Sequence, residues 1–151
     1  MICQAGFDSP LGALALTEEA GILTRLEWRR GVVGLGSDVL DLACQQLQQY
    51  FAGSRQEFDL PLDFGTGLQR DVRRAMVAIP YGETRTYGDL AKDLGVPAQA
   101  IGQACGANAL PVFIPCHRIL AANGLGGYSG AGGVETKITL LRLEGAASLL
   151  I

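Results

Sequence analysis

Apolar and polar positions alternate near the start of the chain, in the pattern of a half-buried sheet. Residues 12–17 (GALALT) and 21–30 (GILTRLEWRR) follow this period of two, and a turn at residues 18–21 separates them. A hairpin is the simplest structure for this pattern. From Ser37 the apolar spacing becomes helical, with Ser37 as the N-cap and Gly53 as the end. The residues with helical spacing are Val39, Leu42, Ala43, Leu47, Tyr50 and Phe51.

Residues 54–67 contain proline and glycine and follow no regular period. We interpret them as a linker of about a dozen residues between two parts of the chain. The sequence therefore predicts a small α/β domain with its linker over residues 1–66, followed by a mostly helical domain over residues 67–151. The predicted fold class is α+β.

The second half opens with helical spacing from Leu68 to Ile79. Thr86 and Asp89 then have the spacing of a capping box, which predicts a helix that ends at the following glycine. Pro97 suits the first turn of the next helix. Two short helices joined by so tight a turn are a candidate helix-turn-helix.

The last third of the chain contains an apolar segment, a glycine-rich loop and a helix. Residues 109–120 (ALPVFIPCHRIL) include two prolines, so we expect an extended buried segment. Residues 121–133 include six glycines and predict a loop. Residues 134–145 predict a helix that ends at a glycine. We expect its buried face to hold Val134, Ile138 and Leu141.

One face of the helix that follows Pro97 has no charged residue, because it consists of Ala98, Gln99, Gly102 and Gln103. Glycine in the interior of a helix costs about 1 kcal/mol relative to alanine. Such a face either packs against another helix of the same chain, which is the commoner case, or allows another molecule to approach closely. The sequence alone leaves both possibilities open.

Composition restricts the class of protein. Of 151 residues, 48% are apolar and 18% are charged, which suits a folded, soluble chain. There is no apolar run of about 18 residues and no signal peptide, so we expect a cytoplasmic protein without membrane contact. The four dispersed cysteines are then expected to be reduced thiols. With one histidine in the chain, they do not suggest a zinc site, and we expect no metal.

Charge is distributed unevenly between the two halves. The net charge is −3. Residues 1–66 carry four basic and nine acidic side chains, for a charge of −5, whereas residues 67–151 carry eight and six, for +2. The second part, which contains Cys116, could therefore face an anion, whereas the first part would repel one.

The chemistry of the sequence centres on Cys116, which lies beside the only histidine, His117. A thiolate is a nucleophile, and a histidine can generate it. Adjacent residues of an extended segment point to opposite sides, so we expect a bridging water between them instead of direct contact. A third group should orient the imidazole, and local sequence cannot name it. A buried and inert thiol is the ordinary alternative.

The segment IPCHR (114–118), with Asn108 upstream and GYSG and KITLLRLEG downstream, resembles the O6-alkylguanine-DNA alkyltransferases. IPYGETRTYGDLA (79–91) resembles the entry of that family into its helix-turn-helix. SPLGALAL, LQQYFAG and LPLDF resemble its N-terminal domain. The resemblance covers nearly the whole chain. It implies a ribonuclease-H-like N-terminal domain followed by a winged-helix-like helix-turn-helix domain.

The resemblance also implies a mechanism. Cys116 would accept an alkyl group from guanine O6 in one irreversible displacement, without a cofactor. His117 would deprotonate Cys116 through a water, Glu144 would orient His117, and Asn108 would hold the turn before the cysteine. The protein would act as a monomer on double-stranded DNA that contains O6-alkylguanine, with O4-alkylthymine as a lesser substrate. The substrate or DNA contacts would come from Tyr87, Ala98, Gln99, Gly102, Arg118, Tyr128 and Ser129, of which Tyr87 would also assist catalysis.

This chain differs from the family pattern at Gln99. The family usually has an arginine there, which fills the gap left by the flipped base. Glutamine can occupy that space but adds no charge. Ala109 replaces the usual proline, and residues 128–137 are about two residues longer than the common spacing. The zinc site of some relatives has no histidines to build it here.

Three other functions remain open at this point. An alkyltransferase-like protein would bind the lesion and flag it for repair without chemistry, but such proteins lack the cysteine. A regulator that reads the major groove would need charged or amide side chains along residues 97–106. A thiol hydrolase for small molecules would turn over repeatedly and would not require DNA.

Overall fold

The computed structural model of the chain describes residues 1–146, which divide into two compact units, one of Met1–Asp63 and one that begins at Phe64. In the first unit, β1 (Ile2–Ser9), β2 (Gly12–Glu19) and β3 (Ile22–Trp28) form an antiparallel sheet in that order. Helix α1 (Asp38–Phe51) follows, and Ser37 caps it by accepting a hydrogen bond from the Leu40 amide. The buried core of this unit includes Leu14, Leu16, Leu23, Leu40, Leu47 and Tyr50.

The hairpin of β2 and β3 and the helix capped by Ser37 agree with the sequence prediction, whereas β1 was missed. Its residues alternate only weakly between apolar and polar, which is why the period did not reveal them. The turn at residues 9–12 was the available signal. There the Ser9 hydroxyl accepts a hydrogen bond from the Leu11 amide, and Gly12 takes a positive φ of 108°.

The second unit is mostly helical, so the α+β fold class predicted from the sequence is confirmed. Helix α3 (Tyr87–Leu94) begins with the predicted capping box of Thr86 and Asp89 and ends at Gly95, whose φ is 67°. Strand β4 (Arg85–Thr86) directly precedes α3 and pairs in parallel with β5 (Ile119–Leu120), the strand that follows the Cys116 turn. The start of α3 therefore lies beside β5. The elements are α2 (Gly67–Val77), β4 (Arg85–Thr86), α3 (Tyr87–Leu94), α4 (Ala98–Gly106), β5 (Ile119–Leu120) and α5 (Val134–Leu143).

The segment around Cys116 is buried, as expected, but it is not extended along its whole length. Residues Cys116–Arg118 form one turn of 3₁₀ helix, and only Ile119–Leu120 forms a strand. Proline lacks the amide hydrogen that a sheet ladder needs, so the segment satisfies its backbone locally instead. Three backbone amides in the segment donate to nearby carbonyls: Ile114 to Leu110, Cys116 to Ile114, and Arg118 to Pro115.

The buried face of α5 also differs from the prediction. Leu141 is buried as expected, but Val134 is 40% exposed and Ile138 is only partly buried. The face instead includes two ionisable residues, Lys137 and Glu144, which find hydrogen-bond partners inside the unit. The spacing of apolar residues could not predict that these two charged residues are buried, because such residues are buried only when they find partners. Among residues 1–146, no helix is long and apolar enough to cross a membrane.

Candidate active site

Cys116 lies at the start of the 3₁₀ turn, and its side chain borders a cavity of about 280 Å³. The residue is 6% exposed, so the thiol can be reached only through this cavity. The volume lies near the lower end of the range of small-molecule sites, which suits a group the size of one base. The cavity is lined by Tyr87, Gly102, Cys105, Gly106, Cys116, Gly127, Tyr128 and Ser129.

Asn108 fixes the segment that leads from α4 to Cys116. Its Nδ2 donates to the carbonyl of Ile114 at 3.0 Å, and its Oδ1 accepts from the amide of Leu110 at 3.0 Å. Both groups of the amide are thus used inside the protein. An aliphatic side chain at this position would leave the two buried backbone groups without these partners.

The carboxylate of Glu144 joins two buried side chains. His117 Nε2 lies 2.7 Å from Glu144 Oε2, and the Arg118 guanidinium donates to both carboxylate oxygens, at 2.8 Å and 3.0 Å. The third hydrogen bond of Arg118 runs from Nη1 to the carbonyl of Ile79 at 2.7 Å, and its guanidinium lies 5.8 Å from the ring centre of Tyr81. The carboxylate therefore cannot rotate without breaking a bidentate ion pair.

The protonation states of this network follow from its contacts. Burial alone would raise the pKa of Glu144, but hydrogen bonds and charge from His117 and Arg118 lower it to about 2. We attribute the ionised state chiefly to Arg118, which is always charged. Burial lowers the pKa of His117 by more than its hydrogen bond to Glu144 raises it, so the imidazole is neutral at physiological pH.

The tautomer of His117 follows from the same contacts. An ionised carboxylate can only accept hydrogen bonds, so the hydrogen of the neutral ring must be on Nε2. Nδ1 then has a free lone pair. It is buried and has no hydrogen-bond partner among residues 1–146. The ring is therefore oriented by Glu144 with an unused base on its other side, which is the arrangement of a general base.

The thiol of Cys116 needs such a base. Burial raises its pKa, and the lowering effects of the Asn108 hydrogen bond and the charge of Lys137 are smaller. The resting group is thus the thiol, which is a poor nucleophile. No hydrogen bond joins Cys116 to His117 among the described residues, so transfer of the proton requires a bridging molecule of the size of water.

Two tyrosines border the cavity. Tyr87 is the first residue of α3, and Tyr128 comes from the glycine-rich loop; burial raises the pKa of both hydroxyls, so both keep their protons and can donate. The Tyr128 hydroxyl has no hydrogen-bond partner within residues 1–146. Ser129 also borders the cavity and is exposed. The cavity therefore offers hydrogen-bond donors beside the thiol.

The outer face of α4 resolves one question that the sequence left open. Ala98 and Gln99 are exposed, and Gly102 borders the cavity. Apart from its chain neighbours and the backbone of its own helix, a Cβ atom at Gly102 would meet no atom of residues 1–146 within 4 Å, and Gly102 does not have a positive φ. Neither packing nor backbone conformation within residues 1–146 therefore requires this glycine, which favours close approach by another molecule.

Two residues of the site differ from what the sequence suggested. We expected Arg118 to contact substrate or DNA, but it is 7% exposed and its guanidinium is engaged with Glu144 and Ile79. Lys137 was not predicted from the sequence. It is fully buried and donates a hydrogen bond to the carbonyl of Gly127, which lines the cavity. The available signal was its position seven residues before Glu144, two helical turns along the same face. Residues 1–146 contain no group of three or more potential ligands that could hold a metal.

Comparison with known proteins gives consistent matches over both units. Residues 2–64 match the family model of the 6-O-methylguanine DNA methyltransferase ribonuclease-like domain, and residues 67–146 match that of its DNA binding domain. The chain is 41% identical to the methylated-DNA–protein-cysteine methyltransferase of Mycobacterium tuberculosis, covering 95% of this chain and 93% of that protein. It is 42% identical to the constitutive enzyme of Bacillus subtilis, with 91% and 92% covered.

Solved structures give the same result. The crystal structure of Mycobacterium tuberculosis O6-methylguanine methyltransferase has a TM-score of 0.84 and 38% identity, and covers 97% of this chain and 94% of that chain. The structure of Mycobacterium tuberculosis OGT in complex with DNA has a TM-score of 0.84 and 40% identity, with 95% and 93% covered.

Replacing Glu144 with glutamine should destabilise the fold in a pH-dependent way. At neutral pH we expect the free energy of unfolding to fall by about 3–5 kcal/mol, because the buried Arg118 loses its counter-ion. The pKa of Glu144 is lowered from 4.5 to about 2, so its stabilising effect is present above about pH 4.5 and lost as the pH falls toward 2. Urea unfolding of both proteins across this range measures the difference.

Glu135→Gln is the matched control, because Glu135 is exposed on the same helix. It should change stability by less than about 0.5 kcal/mol. A Glu144→Gln difference that stayed constant down to the lowest pH would contradict the assigned ion pair.

Proposed function

The chain belongs to the 6-O-methylguanine DNA methyltransferase family, and on that premise we propose that Cys116 is the residue that accepts the alkyl group. The family resemblance of the sequence is thereby confirmed. The protein is a methylated-DNA–protein-cysteine methyltransferase, which repairs alkylated DNA by direct reversal. The roles of its individual residues, described next, are our proposal.

The reaction begins with removal of the Cys116 proton. A water between Sγ and His117 Nδ1 takes this proton as it passes its own to the imidazole. The resulting imidazolium is stabilised by the Glu144 carboxylate at 2.7 Å, which also fixes the ring in the required orientation. Arg118 is a positioning residue here, because it is buried and its guanidinium holds Glu144.

The thiolate then attacks the alkyl carbon bound to guanine O6. A carbon–sulfur bond forms as the carbon–oxygen bond breaks, and the bonding electrons remain with the guanine. Donors placed where negative charge develops lower the barrier of such a step. We assign this role to Ser129 at O6 and to the Tyr87 hydroxyl, with Tyr128 forming the wall of the cavity. The thioether product is stable, so each molecule reacts once and needs no cofactor.

The target base must leave the double helix to reach Cys116, because the residue is buried and borders a cavity of the size of one base. We propose that the uncharged face of α4 enters the minor groove, with Ala98 and Gly102 allowing close approach and Gln99 occupying the gap left by the flipped base. The proposed substrate is O6-alkylguanine in double-stranded DNA. We also propose that the protein acts as a monomer in the cytoplasm.

One observation carries the proposal. The cavity that Cys116 borders is lined by hydroxyl donors and by Gly102 of α4. His117, whose Nδ1 has no hydrogen-bond partner among the described residues, directly follows the cysteine. A site for a small diffusible ester would not need an open glycine face on a helix exposed to solvent.

The proposal predicts a single covalent change. After incubation with a duplex that contains one O6-methylguanine, the intact mass should rise by one methyl group per protein. Peptide mapping should place that methyl group on Cys116, because His117, the proposed base, directly follows it in the chain. Cys116→Ser should bind the duplex without any gain in mass.

Cys105→Ser is the matched control, since Cys105 borders the same cavity but has a pKa raised to about 12, chiefly by burial. It should still gain one methyl group. Binding of the lesion without any mass gain in the unmodified protein would instead support an alkyltransferase-like lesion-binding function. A methyl group on Cys105 would refute the assignment of Cys116.

Gln99→Arg should tighten binding to duplex DNA, because an added cation on the exposed face of α4 neutralises one further phosphate. The logarithm of affinity plotted against the logarithm of salt concentration should become steeper by about one. Gln48→Arg adds the same charge on α1 and should leave the slope unchanged. Equal slopes for all three proteins would show that α4 does not face the DNA.

A further inference from the structure

Lys137 is fully buried, yet it has no carboxylate partner among residues 1–146. Its ammonium instead donates to three backbone carbonyls, those of Ile119 at 2.6 Å, Leu125 at 2.5 Å and Gly127 at 3.0 Å. An ammonium has three hydrogens, so its donor capacity is filled. Burying a charge is costly unless it is compensated, so a lysine with only carbonyl partners requires a reason.

The three carbonyls belong to two segments that form opposite parts of the site. Ile119 directly follows the 3₁₀ turn of Cys116, whereas Leu125 and Gly127 lie in the loop that carries Tyr128 and Ser129. That loop is rich in glycine, so its backbone has more conformational freedom to lose than most segments. The side chain of Lys137 thus holds the loop that carries Tyr128 and Ser129 against β5, the strand that follows the Cys116 turn.

The charge of Lys137 also changes the electrostatics of the site. Arg118 is balanced by Glu144, and His117 is neutral before reaction, so the ammonium of Lys137 leaves the buried site with one net positive charge. This charge lowers the pKa of Cys116, and Cys116 and Cys105 in turn act to raise that of Lys137. The titratable groups that interact with it are these thiols, from the 3₁₀ turn and α4, and His117, whose pKa its charge lowers.

We propose that Lys137 is a positioning residue for alkyl transfer, which fixes the Tyr128–Ser129 loop against β5, the strand that follows the Cys116 turn, and supplies the unbalanced positive charge that favours the thiolate. The inference rests on the function proposed above. It adds a residue that takes no part in the relay from Cys116 to Glu144.

The charge effect can be measured without DNA. We would follow carboxamidomethylation of Cys116 by iodoacetamide as a function of pH, with peptide mapping to separate the four cysteines. In Lys137→Met, which keeps a long side chain without charge or donors, the part of the Cys116 profile below about pH 8, where Lys137 is charged, should shift to higher pH by about one unit. The reaction near neutral pH should accordingly slow about tenfold.

The chain offers a matched control because it contains only two lysines, and Lys92 is exposed on α3. Lys92→Met should leave the Cys116 profile unchanged. Methyl transfer from the O6-methylguanine duplex should slow at least as much as carboxamidomethylation in Lys137→Met, because both the charge and the loop attachment are lost. An unshifted Cys116 profile in a folded Lys137→Met protein would overturn the proposal.

If Lys137→Met does not fold, the unmodified protein still provides a test. Competitive acetylation should label Lys137 at least about a hundredfold more slowly than Lys92, since its hydrogen bonds must open first. Its labelling should titrate near pH 8, because burial lowers the pKa of Lys137 to about 8. Equal labelling of the two lysines would overturn the proposal. If no methyl group is ever transferred from DNA, the proposed function fails, but the iodoacetamide profile still decides the role of Lys137.

Discussion

The site depends on the carboxylate of Glu144, which is shared by Arg118 and His117. The bidentate contact with Arg118 keeps Glu144 ionised inside the protein, and an ionised acceptor fixes the hydrogen of His117 on Nε2. That assignment leaves Nδ1 as the base. In the proposed mechanism the reactivity of the thiol therefore depends on an ion pair that does not include the sulfur.

The fold brings this network together through elements distant in the chain. Asn108 closes the turns between α4 and Cys116, and the pairing of β4 with β5 sets the start of α3 beside the strand that follows the cysteine. Helix α5 contributes twice, because Lys137 and Glu144 are two helical turns apart on one face. Lys137 holds the loop that faces the substrate, and Glu144 holds the base. Small displacements of α5 would therefore affect both.

Much of this arrangement could be predicted from the sequence, because local signals specified it. Ser37 and the pair Thr86 and Asp89 marked helix starts, and the family motifs pointed to Cys116, His117 and Glu144. The 3₁₀ turn was not predictable, because two prolines exclude a regular strand without determining which local hydrogen bonds replace it. The burial of Arg118 was not predicted, and Lys137 was missed altogether. Burial of a long charged side chain depends on acceptors elsewhere in the chain, such as the carbonyl of Ile79 for Arg118.

The most direct test of this account is the protonation of its single histidine. Nitrogen-15 spectra of the imidazole can distinguish the two neutral tautomers from the imidazolium, and no other histidine overlaps the signal. At neutral pH we expect the neutral ring, because burial lowers the pKa of His117, with hydrogen on Nε2 and none on Nδ1. An imidazolium at neutral pH, or a ring protonated on Nδ1, would contradict the proposed relay, because neither form can accept the proton of Cys116.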